Sequence, residues 1–277
     1  MGQPGFLVIG HVAKDLTNGG YRLGGTVVYS SLTARNLGQS VGVVTSAGPD
    51  IELGQFLQDV ELVCLPSAVT TTFRNVDERG RRRQYVYAVA DRIEARNVPS
   101  GWREAPVVHL GPIAGEFAGD MIDLFSSSLV GLSPQGWLRR WDEQGQVYPC
   151  QWTEAEKLLP GVDAVIVSEE DLSGEAGTLH SQLGLTRLAV VTEGAKGATL
   201  HSEGKRFHFS ARRVRAVDPT GAGDVFAAAF LVRLAETNDP HEATRFATAA
   251  ASVSVRKAGI GSVPDRAEIE RLMTNTR

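Results

Sequence analysis

The chain has 277 residues, 42% hydrophobic and 22% charged, with 28 Lys and Arg against 32 Asp and Glu for a net charge of −4. This balance suits one large α/β domain with an ample core, and it argues against broad binding to nucleic acid or an anionic membrane surface. Cys64 and Cys150 form neither a disulfide framework nor a metal-ligand spacing, no secretory leader opens the chain and no apolar run reaches bilayer length, so a reducing cytoplasm is the expected setting.

Residues 6–9 predict a buried strand ending at Gly10, and residues 21–25 form a short glycine-rich segment. Residues 27–37 predict a helix closed by Gly38, and residues 41–45 a strand that stops before Gly48-Pro49-Asp50. Residues 70–89 read as a hairpin with a polar turn at Asp77-Glu78-Arg79-Gly80 and a solvated tip of Arg79, Arg81, Arg82 and Arg83. Such a hairpin is either a lid over the C-terminal edge of a sheet or a surface ornament. Four more short strands are expected at 107–110, 130–132, 164–167 and 188–191, and a second hairpin at 198–209 should extend the main sheet. Helix starts are legible at Thr153 with Glu156, at Asp239-Pro240 with Glu242, and at Asp265 with Glu268. Strands alternating with helices imply a mostly parallel sheet covered on both faces.

The most informative stretch is Asp218-Pro219-Thr220-Gly221-Ala222-Gly223-Asp224, directly before an apolar, alanine-rich run. A small-residue loop entering a helix presents unpaired N–H groups at the positive end of the helix dipole, which makes an anion site. Asp224 stands at its edge, where a carboxylate is useful if it takes a proton from a hydroxyl about to attack a phosphate. From these residues alone the loop is equally a glycine-rich helix cap with a dipole-complementing acid.

The whole stretch resembles the C-terminal signature of the ribokinase-like sugar kinases, the phosphofructokinase-B family. Gly10-His11-Val12-Ala13-Lys14-Asp15 is similar to that family's first strand and substrate-binding aspartate, and Gly24-Gly25 to its diglycine motif. Val190-Val191-Thr192-Glu193-Gly194-Ala195-Lys196-Gly197 is similar to its nucleotide-binding strand and turn, and Ser262-Val263-Pro264 to its C-terminal loop. The resemblance implies a three-layer α/β/α fold over residues 1–277, with a mostly parallel central sheet and a small β lid from about 12–25 and 68–90. It implies Asp224 as catalytic base, with Gly221, Ala222 and Gly223 as the anion hole. Asp15, Gly24, Gly25 and Tyr29 would bind substrate. Ser168, Thr192, Gly194, Gly197 and Thr248 would bind ATP. Mg²⁺ would be held through water by Asp171, with Glu170 as the alternative. A monovalent cation such as K⁺ would sit at Asp218, Thr220 and Ser262, with Ala258 on the opposite wall. The partner is a small polyol, sugar or nucleoside, with a lid-to-lid homodimer as a further expectation.

Two positions depart from the family pattern. Tyr29 stands where the family commonly has asparagine, and Ser168-Glu169-Glu170-Asp171 stands where it has Asn-x-x-Glu. Tyr29, the segment 10–17 and Pro134-Gln135-Gly136-Trp137 are similar to inositol-kinase-like members. A rival from another class is a non-catalytic polyol or nucleotide sensor on the same fold. A nicotinamide enzyme is disfavoured because no Gly-x-Gly-x-x-Gly turn follows the first strand, and a P-loop kinase because no Walker motif exists. His11 and His109 either touch substrate or are satisfied structural histidines, and Trp137 and Trp141 read as packing.

Overall fold

A computed structural model describes residues 2–78 and 81–274. In chain order, β1 (Phe6–Ile9), β2 (Ala13–Thr17) and β3 (Gly20–Gly24) lead into α1 (Thr26–Asn36). Next come β4 (Val41–Ala47), β5 (Val60–Pro66), β6 (Thr71–Glu78), β7 (Arg81–Ala88), β8 (Val107–Leu110) and β9 (Leu129–Leu132). A short ribbon, β10 (Arg139–Trp141) and β11 (Val147–Pro149), precedes α2 (Ala155–Leu158), β12 (Ala164–Ser168), α3 (Thr178–Gln182) and β13 (Leu188–Thr192). The chain then runs through β14 (Gly197–Ser202), β15 (Lys205–Ser210), α4 (Ala222–Thr237), α5 (Pro240–Ser254) and α6 (Arg266–Thr274).

The main sheet has the order β15-β14-β13-β12-β9-β8-β1-β4-β5. Seven strands from β13 to β5 are parallel, and β14 and β15 close one edge antiparallel. Central strands are mostly apolar and buried because both faces are covered. One face packs against α1, α4 and α5 around Val27, Phe226, Phe230 and Phe246. The other packs around Trp102, Phe117, Phe125 and Trp152 with α2 and α3. From β1 the chain adds strands first on one side, β4 and β5, and then on the other, β8 and β9. The cleft outside the carboxyl ends of β1 and β8 is therefore the topological switch point, where such sheets bind ligands.

A second, four-stranded sheet has the order β3-β2-β6-β7. Thr17 pairs with Gly20 across the two-residue turn Asn18-Gly19. Phe73, Val86 and Ala13 bury one side of this sheet against Ile113 and Ala114. The turn at Arg79 and Gly80 lies outside the described residues. Several boundaries differ from expectation. The start of α2 is capped at Glu154 without a side-chain bond, not by Thr153, and the helix has only four residues because Pro160 cannot continue it. The other two starts stand as expected. Asp239 accepts from the N–H groups of His241 and Glu242, and Asp265 and Glu268 cap each other reciprocally. Strand β5 has no counterpart among the sequence expectations. Its alternating, partly exposed pattern is that of an edge strand.

Candidate active site

The start of α4 organises the site. Gly221 caps the helix in the left-handed region at φ 77°, and a β-carbon there would collide with the ring of Tyr29. The alanine-rich body of α4 is buried from Val225 to Val232 and lies against α1 and α5. Its first turn thereby faces the switch point. The N–H of Ala222 closes a turn on the carbonyl of Pro219 at 3.1 Å. It is held inside the loop rather than pointing freely at a ligand, while Gly223 lies exposed on the rim with open space beside it.

One face of α1 meets this turn. Thr26 donates a hydrogen bond to the Asp224 carboxylate. The Ser30 hydroxyl reaches the Asp224 carbonyl at 3.3 Å and His109 Nδ1 at 2.9 Å, and His109 Nε2 lies 2.9 Å from Ser133 Oγ. With Ser30 donating to the carbonyl, His109 must donate to Ser30 and accept from Ser133, which a neutral imidazole can do. Burial pushes the His109 pKa down to about 3, which keeps it neutral. His109 and His11 are both fully buried and act structurally. His11 bonds Thr71, and its N–H reaches Glu116 at 2.7 Å.

Asp224 keeps a solvent-facing edge, yet the protein packed around its carboxyl pushes the pKa up to about 6. The Thr26 hydrogen bond and Arg139 oppose that rise, while Asp171 and Asp15 add to it. A carboxylate near 6 is a suitable general base for neutral pH. Asp15 lies mid-strand in β2 with a carboxylate oxygen directly over Gly24, where a side chain would collide with it. Tyr29 is buried and senses three acids. Burial first, then Asp224, Asp15 and Asp218, push its hydroxyl above the usual range, against a smaller pull from Arg22. The phenol therefore stays neutral and keeps its proton to donate.

Asp171 follows β12, with its N–H on the Ser168 carbonyl at 3.0 Å. Its carboxylate takes Gln135 Nε2 at 3.3 Å and lies 3.7 Å from Arg139. Ser168 and Thr192 are partners in the β12–β13 register, and the turn to Gly197 carries Gly194, both glycines at positive φ. Glu169 and Glu170 are exposed in a turn, Glu169 paired with Lys196 at 3.1 Å. Thr248 is buried and donates to the Thr244 carbonyl of its own helix at 2.7 Å. Trp137 packs on Phe117 and Trp152, whereas Trp141 is 39% exposed.

The proposed cation ligands meet a different partner. Asp218 Oδ1 accepts from the Thr220 N–H at 3.0 Å, and Oδ2 takes Arg22 Nη1 of β3 at 2.8 Å. Burial opposes charge at Asp218, but Thr220 and Arg22 hold its pKa below the ordinary value. Ser262 is buried, its N–H on the Gly259 carbonyl. The structure thus gathers Asp15, Tyr29, Asp171, Asp218 and Asp224 around one cleft. It adds Arg22, Thr26 and Arg139, which the sequence reading missed, and Gln135 from the run similar to inositol-kinase-like members. Arg22 and Thr26 flank the Gly24-Gly25 pair, and the Asn18-Gly19 turn signal would have placed Arg22 opposite Asp15.

The comparisons agree with this architecture. Residues 142–266 match the family model described as pfkB family carbohydrate kinase. A ribokinase of Bacillus subtilis is 45% identical over 85 residues, 30% of this chain, so the match spans only 29% of that relative's length. A cytidine kinase of Thermococcus kodakarensis is 25% identical over 279 residues, covering 93% of this chain and 98% of the relative. A solved pyrophosphate-dependent kinase of the ribokinase family, complexed with a pyrophosphate analog and myo-inositol, superimposes with a TM-score of 0.81 at 28% identity, over 96% of this chain and 99% of that one. With a family match over residues 142–266 and a near full-length structural match at 28% identity, the chain is similar to the ribokinase-like, pfkB family of carbohydrate kinases.

Proposed function

We propose that the protein transfers a phosphoryl group to a hydroxyl of a small polyol, sugar or nucleoside. The observation that carries this reading is Asp224, a carboxylate with its pKa raised to about 6, held in the first turn of α4 and near enough to Asp15 for the two charges to interact. Asp15 accepts from acceptor hydroxyls, and the neutral Tyr29 phenol donates to one. Asp224 removes the proton from the attacking oxygen. The α4 N-terminus, through Gly221, Ala222 and Gly223, stabilises charge on the transferring group. The cleft-facing Gly223 carries more of this role than the turn-bound Ala222. The β3-β2-β6-β7 sheet acts as a lid that excludes water, and its exposed Tyr21 and Tyr87 would meet a second copy in a homodimer.

The donor proposed is ATP, its phosphates lying along Ser168, Thr192, Gly194 and Gly197. Asp171, oriented by Gln135 and close enough to Asp224 to raise its pKa, fits a water-mediated Mg²⁺ contact. When bound, Mg²⁺ neutralises charge on the donor phosphates. Pyrophosphate is the second donor reading, favoured by the structural relative that uses it.

The test is phosphorylated-product formation across polyols, sugars and nucleosides, with ATP and pyrophosphate in separate arms. Asp224→Asn should abolish transfer while leaving donor binding intact. Full activity in that variant refutes the mechanism. A donor that binds with no turnover on any acceptor favours the sensor reading.

A further inference from the structure

We propose that the Arg22 guanidinium is a built-in counter-cation for the anion loop, so that this protein works without a monovalent metal ion at Asp218. The inference rests on the kinase reading for its rate measurement, and on geometry alone for its binding measurement.

The residues that would ligate a monovalent cation do not suit one here. A cation at Asp218 needs carboxylate lone pairs, and both oxygens already accept hydrogen bonds, one from Thr220 and one from Arg22. The Gly259 N–H also donates to this carboxylate. A metal ion would have to displace a guanidinium that is covalently part of the protein. The Asp218 side chain is 10% exposed, so its charge lies mostly out of water and needs a partner. Three residues later comes Gly221, at the mouth of the proposed phosphoryl site. An uncompensated carboxylate there would repel an incoming phosphate.

Arg22 is placed for this role by sheet register. It lies directly opposite Asp15 in the β2–β3 pair, and directly opposed residues share a face. Arg22 therefore stands beside the acceptor carboxylate while its Nη1 reaches a loop 196 residues further along the chain. Its own side chain is 53% exposed and lines an open cleft of ≈ 440 Å³ with Asn18, Arg74 and Asn75. Water thus reaches the arginine from one side while the carboxylate it neutralises stays covered. The contact also ties the small sheet to the anion loop, so ordering one helps to order the other.

The experiment compares KCl with tetramethylammonium chloride at equal ionic strength, reading both initial rate and thermal midpoint. The wild-type rate should change by less than about twofold, and its midpoint should show no K⁺-specific shift. Arg22→Ala should lose about 10²-fold in rate without K⁺, the scale for stranding a covered charge. It should also gain a K⁺-specific rise in rate and midpoint, because an ion can now enter. Arg22→Lys, which keeps the charge, should remain indifferent to K⁺. Strong K⁺ activation of the wild type would overturn the inference, as would a folded Arg22→Ala protein with no K⁺-specific response in either readout. If no acceptor is turned over by any form, the kinase reading fails, while the midpoints still decide the role of Arg22.

Discussion

Replacing Asp224 by asparagine should make the protein more stable while removing its activity. Burial raises the Asp224 pKa from 3.8 to about 6, so the folded state binds its proton more tightly than the unfolded chain does. Between those two pKa values the unfolded carboxyl is ionised while the folded one is still protonated. Stability therefore falls as pH rises through this window and levels off above it. A shift of about two units corresponds to about 3 kcal/mol at 1.36 kcal/mol per unit, an upper bound because the site relaxes and admits water. Asp224→Asn removes the charge and keeps the shape. Urea unfolding at pH 8 should find the variant about 1–3 kcal/mol more stable than the wild type. At pH 4 the advantage should vanish. Buried His109 loses stability with acid in both proteins and cancels in the difference. A variant equally stable or less stable at pH 8, with the same gap at pH 4, would refute the claim that Asp224 is held at an energetic disadvantage.

The same carboxyl should give the acceptor-saturated rate an acid limb near pH 6, since the base works only when ionised. Thr26→Val removes the hydrogen bond that lowers the Asp224 pKa, so the limb should move to higher pH. An unmoved limb would assign the base elsewhere. Gly221→Ala should cost about 2–4 kcal/mol in chemical denaturation, combining left-handed backbone strain with overlap against the Tyr29 ring. Its residual activity should be low even where the protein is folded. Asp15→Asn should raise the acceptor KM by about 10–100-fold, the scale of a charge-assisted hydrogen bond, and leave the donor KM nearly unchanged. An equal effect on both substrates would place Asp15 outside the acceptor pocket.

The parts of the fold that were legible are those where one residue pattern has one solution. A continuous, β-branched-rich apolar run such as Phe6–Ile9 suits a doubly covered parallel strand, and it lies where expected. Asp239-Pro240 and Asp265 with Glu268 cap their helices because local hydrogen bonds do not depend on tertiary context. Strand β5 was missed because its alternation is weak and interrupted by the charged Glu61. The signature loop was legible as a loop. Its internal bond from Ala222 to Pro219 was not, since backbone direction is set by packing rather than by residue type. Arg22 and Thr26 escaped notice for another reason. Their partners lie 196 and 198 residues away, and nothing in local sequence names a partner at that distance. Thr248 fits the family's spacing, but an α-helical threonine readily bonds back to its own helix, as it does here.

The face that α1 turns toward α4 has a consequence for how this protein can change. Thr26, Tyr29 and Ser30 lie within one helical turn, and each touches a different part of the segment from Gly221 to Asp224: carboxylate, ring-covered glycine and carbonyl. The residue that would select the acceptor is thus also the surface on which the phosphate loop is moulded. A smaller side chain at position 29, tried as a way to admit a bulkier acceptor, would unseat Gly221 at the same time. Retuning this protein for a new acceptor should therefore require paired changes in α1 and in the signature loop, and libraries varying either segment alone should yield mostly inactive proteins.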